Sequence, residues 1–300
     1  MSDARRLKQP PCEVEGSADT IRDAQLFVPE SLTPLAFTTV YPTLTATQRR
    51  RYNQLHGLYF LEQLVFFEQI MGRPTLAWLA THSPTPALRS EAEHFIAEED
   101  EHSSWFRGLL REIEPVHYAS RDFRLLQISS TARSLMKLPG RAVRFFPALL
   151  WMQLIFEERA LQFGRAFVAS GTALDPRLLA VHRKHLADEP AHIRRDILFL
   201  EWLWPATPAW LRRINARLLL WLLREFFLLP KRSGWRVVRT WLEEFPELQK
   251  RRDEIQQAMT DLEKNEAYLR TLYPKASFPK TRQLAARWPE LAGLDDFFTD

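Results

Sequence analysis

The pattern Glu-x-x-His stands at two places 90 residues apart, Glu99-x-x-His102 and Glu189-x-x-His192, since 189−99 and 192−102 are both 90. Three residues advance an α-helix by about 300°, so the carboxylate and the imidazole of each pair emerge from one face. The flanking segments repeat as well. Gln63-Leu64-Val65-Phe66-Phe67-Glu68 matches Gln153-Leu154-Ile155-Phe156-Glu157-Glu158, and Ile96-Ala97-Glu98-Glu99 matches Leu186-Ala187-Asp188-Glu189, at the same offset of 90. A chain with this repeat is expected to fold as two helical hairpins of one plan. Each hairpin supplies a lone glutamate and a Glu-x-x-His.

The rest of the sequence agrees with helices. Only 9 glycines occur in 300 residues, too few for the turns of an all-β protein. Helical periodicity predicts long segments over 46–81 (bent near Gly72-Arg73-Pro74), 87–114, 141–169 and 176–204. Pro115, Ser170-Gly171 and Asp175-Pro176 mark their ends. Residues 115–140 read as a polar connection with a short helix. A fifth helix is expected over 208–229, and one or two more over 234–272 with a break at Pro246. The expected fold is all-α, a four-helix bundle core with additional C-terminal helices. Residues 1–45 are read as an extended arm, 46–230 as the bundle, and 231–300 as a helical extension packed on it.

The single cysteine, Cys12, excludes an intrachain disulfide framework and a cysteine-built metal site. A net charge of +4 demands neither nucleic acid nor a membrane as partner, and neither is expected. The N-terminus lacks the apolar core of a signal peptide, and the apolar run from Leu218 to Leu229 is broken by Arg224 and Glu225. The arginines from Arg212 to Arg239 are read as a solvated helix face. These features lead us to expect a soluble, cytoplasmic protein without a membrane span.

Two such hairpins around a pseudo-twofold axis would gather four carboxylates and two imidazoles, the ligand set of a di-iron or di-manganese carboxylate bundle. Two lone glutamates must be chosen. Glu62 rivals Glu68, but its repeat equivalent is Met152. Glu157 rivals Glu158, but its equivalent is Phe67. The repeat therefore selects Glu68 and Glu158, both set in apolar runs where a lone carboxylate needs a partner. His185 breaks the symmetry. It precedes Glu189 by four residues on the same face, its equivalent is Phe95, and it suggests a seventh ligand. His182, one turn earlier, is read as a residue behind the ligands. Glu91-x-x-His94 has Val181 and Lys184 as equivalents and is treated as chance.

The set Glu68, Glu99-x-x-His102, a lone glutamate at 158, and His185/Glu189/His192 resembles the arylamine N-oxygenase family, the para-aminobenzoate type of ferritin-like di-iron enzymes, over about residues 55–205. That resemblance implies that Glu99 and Glu189 bridge two metals, that Glu68 and Glu158 are terminal ligands, and that His102, His192 and His185 complete the site. It also implies that Asp188 orients His102 and Glu98 orients His192. Two iron ions are implied, with manganese the alternative, together with O2, a small amine substrate, an external electron donor and a homodimer. The implied activity is oxygenation of an amine nitrogen. The alternatives are another ferritin-like oxidase or a hydroxylase acting on carbon, or a non-enzymatic metal-binding helical protein. Pro190, inside the fourth helix, departs from the pattern and should kink the helix there.

Overall fold

The computed structural model describes residues 25–226 and 232–300. The first 24 residues of the expected arm, the expected boundary at 230/231 and the end of the 218–229 segment lie outside that range. Twelve α-helices cover most of the described chain, joined by short 3-10 turns and with no strand longer than an isolated bridge among the described residues.

Thr45 opens α1 (Ala46–Phe66) with a reciprocal cap. Its hydroxyl accepts from the N–H of Gln48, while the Gln48 side chain accepts from the N–H of Thr45. The helix does not stop at Gly72-Arg73-Pro74. It widens into a π turn over Phe67–Gly72 and continues as α2 (Arg73–His82), with Pro74 tolerated in the first turn. Thr85 caps α3 (Pro86–Ile113) through the N–H of Leu88. Two shorter helices, α4 (Pro115–Tyr118) and α5 (Ser130–Gly140), occupy the connection.

The third long helix, α6 (Ala148–Ser170), starts seven residues later than the periodicity predicts. Pro147 explains the delay, because proline disfavours helical backbone in the residue before it. Gly171, at φ 51°, ends this helix in the left-handed region. Asp175 caps α7 (Pro176–Ala206), which runs as one continuous helix through Pro190. Beyond it lie α8 (Ala209–Phe226), α9 (Arg232–Glu244), α10 (Arg252–Thr260), α11 (Glu266–Leu272) and α12 (Pro279–Ala285).

The α1/α2 segment packs antiparallel to α3, α6 packs along α7, and α3 packs against α7. This is an all-α, ferritin-like bundle, and its core holds the functional side chains. Gly164 lets α6 and α7 close together, since a Cβ there would lie 2.8 Å from Leu186 Cδ1. Residues 25–45 depart from an extended arm. They form three 3-10 turns, and the residues just before them are tied down by Asn53, whose Oδ1 accepts from the N–H groups of Phe27 (2.8 Å) and Val28 (3.2 Å). Among the described residues, no helix is long and apolar enough to cross a membrane.

Candidate metal centre

Four helical segments point polar side chains into one buried spot. The π turn brings Glu68, α3 brings Glu99 and His102, α6 brings Glu157, and α7 brings His185, Glu189 and His192. Their donor atoms fall into three overlapping groups, Glu68/His102/His185, Glu99/His102/His192 and Glu157/Glu189/His192, each within 4.8 Å. Glu99 shares His102 with the first group and His192 with the third, so it lies between the two ends of the cluster. His192 Nδ1 is 3.1 Å from Glu99 Oε1 and 3.6 Å from Glu157 Oε2, and His185 Nε2 is 2.9 Å from Glu189 Oε1 and 3.5 Å from Glu68 Oε1.

The outer nitrogens of two histidines are already engaged. His102 Nε2 meets Asp188 Oδ2 at 3.1 Å, and His192 Nε2 meets Glu98 Oε2 at 3.0 Å. Each ring therefore turns Nδ1 inward. Glu68 is steadied by Ser103, whose hydroxyl donates to Oε2 at 2.6 Å.

The lone glutamate of the second hairpin is corrected. Glu158 does not join the cluster. Its carboxylate accepts from the N–H groups of Lys280 and Thr281, both at 2.8 Å, and so seats the N-terminus of α12. Glu157 holds the place instead. The π turn supplies the reason. It accommodates one residue more than an α turn, so the hairpin offset changes from 90 to 89 at Phe67, and Glu68 matches 157.

His182 sits one turn outside the cluster, boxed by Phe60, Phe106 and Phe167, with Nε2 lacking a hydrogen-bond partner. Glu62 is a structural anchor. It accepts from the Tyr118 hydroxyl at 2.6 Å and from the N–H groups of Arg124 (2.7 Å), Leu125 (3.0 Å) and Leu126. Asp196 was missed in the sequence. It is fully buried one turn beyond His192, and neither oxygen has a hydrogen-bond partner. Its spacing of four from His192 and seven from Glu189 was the available signal.

The electrostatics are those of a site built for positive charge. Burial pushes Glu99 well above the usual carboxylate range, with Glu68 and Glu157 adding repulsion. Burial also lifts Glu189 to about 8 and raises Glu68 and Asp196. Burial alone would lower His192, yet Glu157 and Glu98 push it up to about 12. His102 falls to about 4 through burial and the neighbouring His185. Packing this many acids together without cations is costly.

A direct test of fit is the state of the inward atoms. Glu68 Oε1, His102 Nδ1, both oxygens of Glu189 and His192 Nδ1 are buried and make no aligned hydrogen bond, although His185 Nε2 and Glu99 Oε1 come within 2.9 Å and 3.1 Å of Glu189 Oε1 and His192 Nδ1, and all belong to residues of the cluster. Buried polar atoms are nearly always satisfied, so their convergence suits metal ions with mixed carboxylate and imidazole donors.

Two cavities open onto the carboxylate side, of about 50 and 70 Å³. Both reach Glu68, Glu99 and Glu157, and the rings of Phe67 and Phe156, 4.4 Å apart, line both.

A family model described as P-aminobenzoate N-oxygenase AurF matches residues 1–275. No curated protein matches the chain.

Proposed function

The chain belongs to the p-aminobenzoate N-oxygenase family, whose members are di-iron oxygenases, and we propose how its residues serve that chemistry. Glu68, His102 and His185 would hold one ion, and Glu157, Glu189 and His192 would hold the second. Glu99 lies between the two groups, and Glu189, in contact with His185, also spans them. Both ions are iron. When bound, the ferrous pair supplies electrons to activate O2, whose oxygen is transferred to the nitrogen of a small arylamine.

The protein's part is to position, exclude water and hold protons. Asp188 and Glu98 fix the rotation of His102 and His192, so that each imidazole presents Nδ1 inward. The Glu98 carboxyl is lowered to about 2, chiefly by its hydrogen bond to His192 and then by Arg195, which favours the carboxylate that engages Nε2. The aromatic rings of Phe60, Phe67, Phe156 and Phe163 line the larger cavity and match a planar substrate. Turnover would require an external electron donor. The exposed Trp210, Ile214 and Trp221, on one face of α8, support a homodimer.

The observation that carries this reading is the set of unsatisfied donor atoms converging on one buried spot. The test is to load the protein with ferrous iron under nitrogen, measure iron per chain, then admit O2 with an arylamine. About two irons per chain and amine-dependent O2 uptake giving an N-oxygenated product are expected. Absence of O2 uptake by the loaded protein would overturn the reading, and metal analysis of protein purified without added metal separates iron from manganese.

A further inference from the structure

The charge of the chain is unevenly placed. Positions 123–156 contain no aspartate or glutamate and carry five cations, and positions 202–224 contain none and carry four. Against a net charge of +4, these nine cations leave the rest of the chain at −5. Arg124 of the first stretch is spent on Glu114, and Arg212 of the second on Glu290. Arg141, Arg144, Arg213, Arg217 and Arg224 are exposed, and none has an ion-pair partner among the described residues.

Large apolar side chains share the first of these places. Leu138, Phe145 and Phe146, exposed at 52%, 46% and 36%, lie within positions 138–146. The backbone that presents the two rings is anchored. Val143 is fully buried, and the N–H groups of Phe145 and Phe146 donate to the carbonyls of Ala142 (2.8 Å) and Val143 (2.9 Å). Asn215 of α8 holds the same turn, donating to the Phe145 carbonyl at 3.0 Å and accepting from the N–H of Ala148 at 3.2 Å. The Arg144 guanidinium lies 4.4 Å from the centre of the Phe145 ring. Phenyl rings and guanidinium groups are thus offered together on a fixed turn, tied to the helix that carries Arg213, Arg217 and Arg224.

Whatever covers this patch must be both apolar and negatively charged. A second copy on the turn would set Arg141 and Arg144 against their own kind, with no acid in either stretch to answer them. Nucleic acid would answer the arginines but give Leu138 and the two rings no apolar medium. The surface of an anionic bilayer supplies both, with phosphates outermost and acyl chains just beneath. We infer that the segment 138–146 and the free arginines of α8 dock the protein on an anionic lipid surface, rings at the acyl boundary and guanidinium groups on the lipid phosphates. The contact is with one face of the bilayer, as fits a chain without a membrane-crossing helix among its described residues. It does not rest on the oxygenase reading, and it leaves the stripe of Trp210, Ile214 and Trp221 to the second copy proposed above.

The experiment is cosedimentation of the full chain with vesicles, made either of phosphatidylcholine alone or of equal parts phosphatidylcholine and phosphatidylglycerol. The wild-type protein should pellet with the mixed vesicles at low salt, bind the neutral ones about tenfold or more weakly, and come off the mixed ones as salt is raised. Arg141→Gln combined with Arg144→Gln should weaken binding about tenfold or more. Phe145→Ser combined with Phe146→Ser should weaken it to a similar extent with every charge kept, which simple attraction between charges would not do. All four side chains are exposed, and circular dichroism checks that both double variants fold. Failure of the wild-type protein to pellet with the mixed vesicles overturns the inference. Pelleting that both double variants retain in full also overturns it. Should the wild-type protein ignore the vesicles, while the phenylalanine variant changes its mass in sedimentation equilibrium or loses binding to single-stranded DNA, the occupant is a second copy or a nucleic acid and the lipid reading falls.

Discussion

Glu157 and Glu158 are neighbours on one helix with separate partners. Glu157 Oε2 lies 3.6 Å from His192 Nδ1 in the buried cluster of carboxylates and imidazoles, whereas Glu158 accepts two backbone hydrogen bonds at 2.8 Å from the first turn of α12. Their substitutions should separate cleanly. Glu157→Ala removes a donor from the cluster and should leave the protein with fewer than two irons per chain. Glu158→Ala should keep the iron but lose about 1–3 kcal/mol of stability, since two N–H groups lose their acceptor. Metal analysis and urea unfolding of both variants check this. Iron lost from Glu158→Ala and retained by Glu157→Ala would refute the structural assignment.

Helical periodicity and the 90-residue repeat made the hairpins legible, because both report local spacing that tertiary packing preserves. Glu99, His102, Glu189 and His192 could be placed from spacing alone, and His185 followed from its face on the same helix. The lone glutamate of α6 could not. Both follow the buried Leu154 and Ile155, and the structure leaves Glu157 slightly more exposed (12%) than Glu158 (2%), so an apolar setting does not pick out Glu157. The repeat chose wrongly because a π turn in the first hairpin shifts the register by one residue, and nothing in Phe67–Gly72 announces it. The turns over residues 25–45 were equally hidden. They are too short to carry a helical period and are closed by local bonds such as those from the Thr33 and Thr38 hydroxyls to the Glu30 and Leu35 carbonyls, while Asn53, distant in sequence, fixes only the residues before them.

The histidine orientation predicts a graded effect on metal affinity. Asp188 and Glu98 each bond the outer nitrogen of a cluster histidine at about 3 Å. Asp188→Ala or Glu98→Ala frees a ring to rotate and removes the acceptor that makes its inner nitrogen a better donor. Each should weaken iron binding by about 10–100-fold without abolishing it. Competition with a chelator of known affinity measures the change. Unaltered affinity in both variants would show that the rings are held by packing alone.

Glu62 predicts the converse, a loss of stability with the metal retained. Its buried carboxylate gathers the Tyr118 hydroxyl and three successive N–H groups at 124–126. Glu62→Ala leaves those donors unpaired in the interior, and a loss of about 3–5 kcal/mol is expected. Thermal unfolding should show a markedly lower Tm, and the folded fraction should still bind about two irons per chain.

The start of α7 predicts a specific pH dependence. Asp175 accepts from the N–H of Arg177 at 2.9 Å and from its guanidinium at 2.7 and 3.1 Å. Burial would raise this carboxyl, but the bonds to Arg177 prevail and hold it below its ordinary 3.8. A carboxyl lowered by folding contributes its full stabilisation at pH values above the unfolded value. As pH falls below about 4, the unfolded chain takes up the proton first, and the contribution shrinks until the folded form is protonated too. Asp175→Asn keeps a capping side chain but removes the titration. The urea midpoint of the wild-type protein should therefore exceed that of Asp175→Asn at pH 6, and the gap should narrow towards pH 3. A gap of constant size across that range would mean that the residue acts through its shape and hydrogen bonds alone, without its charge.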